Sequence, residues 1–529
     1  MQSKRSNPKK ADRFTSVRGR AAIAASLAAV LITASAGIAA KDITVAVGAA
    51  FSTLDPYDCP DVLTRICAKS IYEGLFTFDK NLKPVPELAE SFEASADASE
   101  YTIKLKTGVK FHDGTDFNAE AVKVNFDRFL NPENRLNRYS AYSMIEKVEV
   151  LDPATVRFKL KKPMPSFIGR LAATTPQMIC PSYIEKYGTG KQLATRACGT
   201  GPYVLERFNP NDGIFVKKNP NYRVPGLPKL DSIHWVPVIE NATRAAMLRT
   251  GEAQYVTPMP LEQIAQLKDD KSLEIQSMPS LMSRYLSINN RVKPFNDKRV
   301  REAINYAINK EALAKVAYAG YAVPMSGIIP PKLPTSLKMG PWPYDPKKAR
   351  ELLKEAGYPN GFETTLWSAY TNTTASKAVQ FIQQQLRQVG IKVTTRLLEP
   401  GVRTSEVYAV QNPDDAKSRL YYVGWADSTM DPDLTIRPVL DSREAPPKFM
   451  NTSYYANPKL DDVLDRAQVE TDAEKRQALY NEAQRIAWSD APWAFLLYEE
   501  NTAGASVKLK NFTLRPDGGF DFYNAYWEE

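Results

Sequence analysis

The chain has 529 residues, a formal net charge of +9, four cysteines and two histidines. That length is far beyond the ~100–200 residues of one average domain, so two or more lobes with their own cores are expected. Six of the nine net charges sit in the first forty residues. The rest of the chain is nearly balanced, with Lys and Arg interleaved among Asp and Glu, which argues against a nucleic-acid or membrane-surface partner.

Residues 1–40 read as a secretory signal peptide. Lys4, Arg5, Lys9, Lys10, Arg13, Arg18 and Arg20 precede an apolar run, Ala21 to Ile32, and then small residues through Ala40. The run is shorter than the ~20 apolar residues a bilayer span needs. No cysteine lies near the cut, so the expected product is free in a periplasm rather than lipid-anchored.

Further on, Tyr101, Ile103 and Leu105 alternate with polar residues and predict a half-buried strand over 100–105. Asn118 suits a helix N-cap, and Val122, Phe126 and Phe129 recur on one face of the helix behind it. Val148–Val150 and Val156–Leu160, joined through Asp152-Pro153, predict a hairpin. A helix over 347–356 opens after Asp345-Pro346 and stops at Gly357. Thr364–Ser368, a stripe of Val379, Ile382, Leu386 and Val389 ended by Gly390, and Ile391–Thr395 form a strand–helix–strand unit. The result is a mixed α/β protein in several lobes.

The cysteines fall into two local pairs, and in an oxidising compartment disulfides are expected between Cys59 and Cys67 and between Cys180 and Cys198. A zinc site would want CxxC-type spacing, which is absent. Histidine-based catalysis and metal binding are starved by the two histidines, His112 and His234. The chain carries no HExxH, no GxSxG and no G-x4-GK[ST] loop, and Gly188-Thr189-Gly190-Lys191 lacks the upstream glycine. The expectation is a non-enzyme with no cofactor and no metal. Several aromatics instead sit beside arginines or acids: Arg138-Tyr139, Arg284-Tyr285 and Gly424-Trp425-Ala426-Asp427. A planar guanidinium fork with aromatic walls suits a small zwitterion bearing carboxylates.

The stretch Leu88-Ala89-Glu90-Ser91-Phe92, with Tyr101-Thr102-Ile103-Lys104-Leu105-Lys106 and Gly108-Val109-Lys110-Phe111-His112-Asp113-Gly114, resembles the signature of the peptide-type (family 5) solute-binding proteins of ABC importers. Further matches follow in the family's order, among them Gly199-Thr200-Gly201-Pro202-Tyr203, Val300-Arg301-Glu302-Ala303-Ile304-Asn305-Tyr306-Ala307 and Ala349-Arg350-Glu351-Leu352-Leu353-Lys354-Glu355-Ala356-Gly357-Tyr358. Within the family, Thr53-Leu54-Asp55-Pro56-Tyr57-Asp58 and Pro341-Trp342-Pro343-Tyr344-Asp345-Pro346 are similar to the glutathione-binding type. The resemblance implies an α/β, bilobal type II periplasmic-binding-protein fold with an extra small subdomain. After the signal peptide at 1–40, the first lobe would take 41–82, 200–282 and 497–529, the extra subdomain 83–199 and the second lobe 283–496. A monomer that closes on glutathione or a similar short peptide and delivers it to an ABC permease in the inner membrane is expected.

In dipeptide-binding relatives an Asp three residues after the Gly-Trp tryptophan holds the ligand's α-ammonium. Here that position is Ser428, with Asp427 one place earlier, a departure that fits the glutathione type in part. Arg138, Arg284 and Arg403 are the expected carboxylate clamps. Tyr139, Tyr285 and Trp425 would wall the pocket, and Asp427, Ser428 and Asp433 would meet the ammonium. A di- or oligopeptide, nickel or haem receptor of the same family is the alternative, and a secreted hydrolase the minor one.

Overall fold

The computed structural model describes residues 41–188, 192–427 and 429–528. The expected signal peptide, Thr189-Gly190-Lys191 and the site candidate Ser428 lie outside these. From Lys41 onward the chain forms one unit.

A mixed sheet organises the chain. Its strands run in the order Ile391–Leu397, Phe362–Ser368, Leu420–Trp425, Leu273–Ile288, Trp493–Ser506, Tyr255–Thr257, Asp42–Val47, Ser232–Pro237, Gly213–Lys218 and Tyr203–Asn209. Side chains of a strand alternate between faces, and here each face has its own core. In the first strand Ile43, Val45 and Val47 enter one apolar cluster while Ala46 enters another with Leu248 and Val256. At the other end of the sheet, Leu286 and Ile288 pack on one face, Tyr285 and Trp493 on the other.

Leu273–Ile288 and Trp493–Ser506 are the longest strands, with 16 and 14 residues. They pair antiparallel along most of their length, and their register breaks between Pro279 and Ser283. There the backbone N–H of Leu281 turns to the Pro516 carbonyl at 3.0 Å. These two strands join the halves of the sheet, and the break lies at the junction.

The predicted strand–helix–strand unit is present. Phe362–Ser368 and Ile391–Leu397 are parallel, and the helix Thr373–Gln388 between them buries Val379, Ile382 and Leu386. Gly390 ends the helix at φ +90°, a left-handed conformation that only glycine takes without cost. The helix Pro346–Glu355 starts one residue earlier than expected, because Pro346 fills its first turn and Asp345 caps it.

A second, antiparallel sheet orders its strands Ala89–Ala94, Glu100–Leu105, Thr155–Leu160 and Ile145–Asp152. Asn118 caps the helix Ala119–Leu130 by accepting from the Ala121 N–H at 2.9 Å. That rotation sends Val122, Phe126 and Phe129 fully inward; truncating a buried Phe of this kind costs about 3–5 kcal/mol. The apolar core runs without interruption from these side chains to Val45 of the large sheet.

Cys180 is joined to Cys198 with Cα atoms 5.4 Å apart, within the usual span of a disulfide. The expected Cys59–Cys67 bond is corrected: both are buried thiols. Asp61 caps the helix Val62–Ala68 through the Thr64 N–H, which fixes its rotation and turns Cys67 into the core. Cys59 is meanwhile engaged by Ser52 Oγ at 3.3 Å and donates to the Asp61 carbonyl at 3.4 Å.

Candidate functional site

The site candidates fall into two groups joined by the strand Leu420–Trp425. The first group lies where the long strands meet that strand. Arg284 donates from Nε to Glu499 at 2.7 Å and from Nη2 to the same carboxylate at 3.1 Å. Its guanidinium carbon stands 4.3 Å from the centroid of the Tyr370 ring. The space it fills exists because residue 424 is glycine: a Cβ there would meet Arg284 Nη1 at 2.6 Å and the Ser283 carbonyl at 2.7 Å. Arg403 donates from Nη1 to the Ala369 carbonyl at 2.7 Å. The two arginines therefore converge on consecutive residues, Ala369 and Tyr370. Close by, the Tyr408 and Tyr421 hydroxyls are 3.1 Å apart, and the charge of Arg403 acts on both.

The second group surrounds Tyr142. Burial pushes the pKa of this phenol up to about 12, and Arg138, Arg170, Arg65 and Asp427 all exert charge on it. Arg65 is held below its ordinary pKa first by burial and then by the like charge of Arg138. Asp427 is 9% exposed. It accepts from the Thr429 hydroxyl at 2.7 Å and the Asp431 N–H at 3.0 Å. Burial raises its pKa to about 6, and the nearby Asp431 charge pushes the same way. Asp431 accepts from the Ser166 hydroxyl at 2.8 Å and lies 3.7 Å from Arg170 Nη2.

The three arginines expected as clamps share one property. Arg138 Nε, Arg284 Nη1 and Arg403 Nε are each buried and have no hydrogen-bond partner among the described residues. An orphaned buried donor costs about 1–3 kcal/mol, more for a charged group, so each is a place where an anionic oxygen would be favoured. Asp427 is the complement, a buried carboxylate that no Lys or Arg pairs with among the described residues. Guanidinium donors and a buried carboxylate of this kind suit a small ligand that carries both carboxylates and an ammonium.

Two expectations change. Tyr285 does not wall an opening: it is 2% exposed and stacked on Trp493 at 3.7 Å between centroids. It follows Arg284 on a strand, so the two point to opposite faces. Asp433 is already neutralised, taking two hydrogen bonds from Arg437 Nε at 3.1 and 2.9 Å and one from Nη2 at 2.9 Å. The i, i+4 spacing of this acid and base on one helix was visible in the sequence and is the signal that would have removed it. Trp425 is half-buried and donates its ring N–H to the Leu434 carbonyl at 3.0 Å, bracing the loop that carries Asp427. Tyr139 is half-buried beside Arg138 at the start of a 3-10 turn, Tyr139–Ala141. Tyr370, Glu499, Ser166 and Asp431 were not expected; of these, only Asp431, before Pro432 at a helix start, had a sequence signal.

A family model described as bacterial extracellular solute-binding proteins, family 5 Middle, matches residues 83–446. The chain belongs to this family. It is 49% identical over 497 residues to the Glutathione-binding protein GsiB of Escherichia coli strain K12, covering 94% of this chain and 96% of that protein. Likeness to the GsiB of Shigella dysenteriae serotype 1 is the same, 49% over 492 residues, or 93% of this chain and 96% of that one. Among solved structures, the ABC transporter-associated periplasmic binding protein DppA of Helicobacter pylori, in complex with the peptide STSA, superposes with a TM-score of 0.78. It is 30% identical and covers 92% of this chain and 98% of its own. The α/β bilobal fold expected from the sequence is that of the family.

Proposed function

We propose that the protein is the periplasmic receptor of an ABC importer, capturing glutathione between two lobes and passing it to an inner-membrane permease. The observation that carries this reading is the set of guanidinium N–H groups on Arg138, Arg284 and Arg403 that have no partner among the described residues, together with the buried carboxylate of Asp427, which no described Lys or Arg pairs with. Glutathione has two carboxylates and one ammonium, and its γ-linkage puts the ammonium beside a carboxylate. The likeness to GsiB proteins supports the same ligand. On this reading 41–82, 200–282 and 497–529 form one lobe, 283–496 the other, and 83–199 an extra small subdomain. Enclosure of most of the ligand supplies the affinity, and hinge motion between the lobes supplies the enclosure. The protein acts as a monomer and turns nothing over.

Thermal unfolding of the purified protein against reduced and oxidised glutathione and Ala-Ala tests this. A ligand that binds only the native state raises the melting temperature with concentration. A rise with glutathione and none with Ala-Ala is expected. A rise with Ala-Ala alone would overturn the ligand assignment and give Asp427 the role of the acid in dipeptide-binding relatives.

A further inference from the structure

Next to the Tyr142 group lies a cavity of about 750 Å³. It shares walls with the proposed site: Ser166, Arg170 and Asp431 border it, so the contact that closes over the Asp427 group also forms the cavity's edge. Phe78, Phe92, Met164 and Met430 give it apolar surface, with Tyr480 behind, while Lys83, Asp433 and Gln468 add polar groups to its lining. Methionine side chains adapt to ligands of varied shape. At the cavity wall Arg476 is half-exposed and forms no ion pair with any described residue.

A tripeptide held by the arginines and Asp427 does not need this space, and its Phe and Met surfaces go unused by a purely polar ligand. The volume falls within the ~300–1,000 Å³ range of small-molecule pockets in its own right. Resting on the proposed function, we infer that this compartment takes a bulky apolar substituent of the ligand, so that the receptor accepts S-substituted glutathione, a thioether on the cysteine sulfur, as readily as the unmodified tripeptide. The polar ends would remain with the arginines and Asp427 while the substituent passes Asp431 into the apolar space.

Calorimetric titration of the purified protein with glutathione and S-hexylglutathione tests this, repeated on Arg476→Trp, which narrows the compartment from a half-exposed helix position, and on Phe92→Ala, which removes part of its wall at a partly exposed strand position. S-hexylglutathione is expected to bind at least as tightly as glutathione, and at least tenfold more weakly to Arg476→Trp. Phe92→Ala should weaken it severalfold. Glutathione itself should stay within twofold in both variants. Tight glutathione binding with S-hexylglutathione tenfold weaker would overturn the inference and leave the function standing, as would equal changes for both ligands or no change for either in both variants. If neither ligand binds and Ala-Ala does, the function falls and this inference falls with it.

Discussion

The Ser166 hydroxyl donates a 2.8 Å hydrogen bond to the Asp431 carboxylate, tying together residues 265 apart in sequence. Ser166 precedes the short helix Phe167–Leu171 near the four-stranded sheet, and Asp431 caps the helix Pro432–Leu440 after the Gly-Trp strand. In the proposed division, the bond joins the extra subdomain, which carries Ser166, to the second lobe, which carries Asp431. It is available only when they are together.

Ser166→Ala should therefore shorten the bound state. A hydrogen bond to a charged group contributes about 1.5–3 kcal/mol, so release of glutathione should speed up roughly tenfold or more, read by stopped-flow fluorescence. The melting temperature without ligand should change little, since Asp431 keeps its cap on the Asp433 N–H at 3.0 Å. Unchanged release would mean the bond plays no part in retention.

Arg403→Ala should weaken glutathione binding by ten- to a hundredfold with little effect on folding, because its one side-chain hydrogen bond among the described residues is to the Ala369 carbonyl. Arg284→Ala should do both kinds of damage. It leaves Glu499, whose side chain is 24% exposed, without its partner, and stranding a buried charge costs about 3–5 kcal/mol before solvent relieves part of it. Gly424→Ala should resemble Arg284→Ala in calorimetry and in melting, since the added methyl group occupies the guanidinium's place.

Asp427 gives binding a pH dependence of definite sign. Burial raises its pKa from 3.8 to about 6, so in the empty protein the folded state favours the protonated form. Its effect on stability is thus most favourable below about pH 4 and is lost as pH rises through about 6. Pairing with an ammonium needs the ionised form, so affinity should climb about tenfold from pH 5 to pH 7 and then level off. Asp427→Asn should abolish that climb and raise the melting temperature of the empty protein at pH 8. The linkage sets an upper limit of about 3 kcal/mol on the gain.

Of the four cysteines, two should react with iodoacetamide after denaturation without reductant, Cys59 and Cys67. Peptide mapping should recover a single cross-link, between Cys180 and Cys198. Its loop spans 18 positions, so its loss should cost on the order of 3 kcal/mol on the chain-entropy account.

Much of the fold could be read from periodicity, because burial on one face leaves a local mark. The strand Glu100–Leu105 and the face made by Val122, Phe126 and Phe129 lie where alternation and helical spacing place them. Arg284 stood out in the sequence as an arginine beside a tyrosine, and the structure brings it to the Tyr370 ring, next to the Ala369 carbonyl that Arg403 reaches. What local pattern could not convey was direction and partnership. Arg284-Tyr285 looks like one recognition unit in sequence, yet the strand sends its members to opposite faces. Cys59 and Cys67 are separated by a plausible loop, but helix capping by Asp61 decides where Cys67 points. Ser166 and Asp431 meet only through the tertiary fold, and no local sequence pattern could have joined them.

The register break between Pro279 and Ser283 has a thermodynamic meaning for the transport cycle. On one side of it the ladder of the two long strands runs from Leu273 to Pro279 without a shift, and on the other it resumes at Ser283 with one further irregularity between Arg284 and Tyr285. At the break, the Leu281 N–H bonds instead to the Pro516 carbonyl, and beside it the Asn501 side-chain amide donates to the Arg515 and Pro516 carbonyls. A sheet that already lacks pairing at its bend can flex there without breaking backbone hydrogen bonds. Opening and shutting then leave the enthalpy of the scaffold nearly unchanged, and the balance between the two forms is set by the contacts in the cleft. A receptor built this way can respond to small changes in solute concentration, since little of the binding energy is diverted into reshaping its own frame.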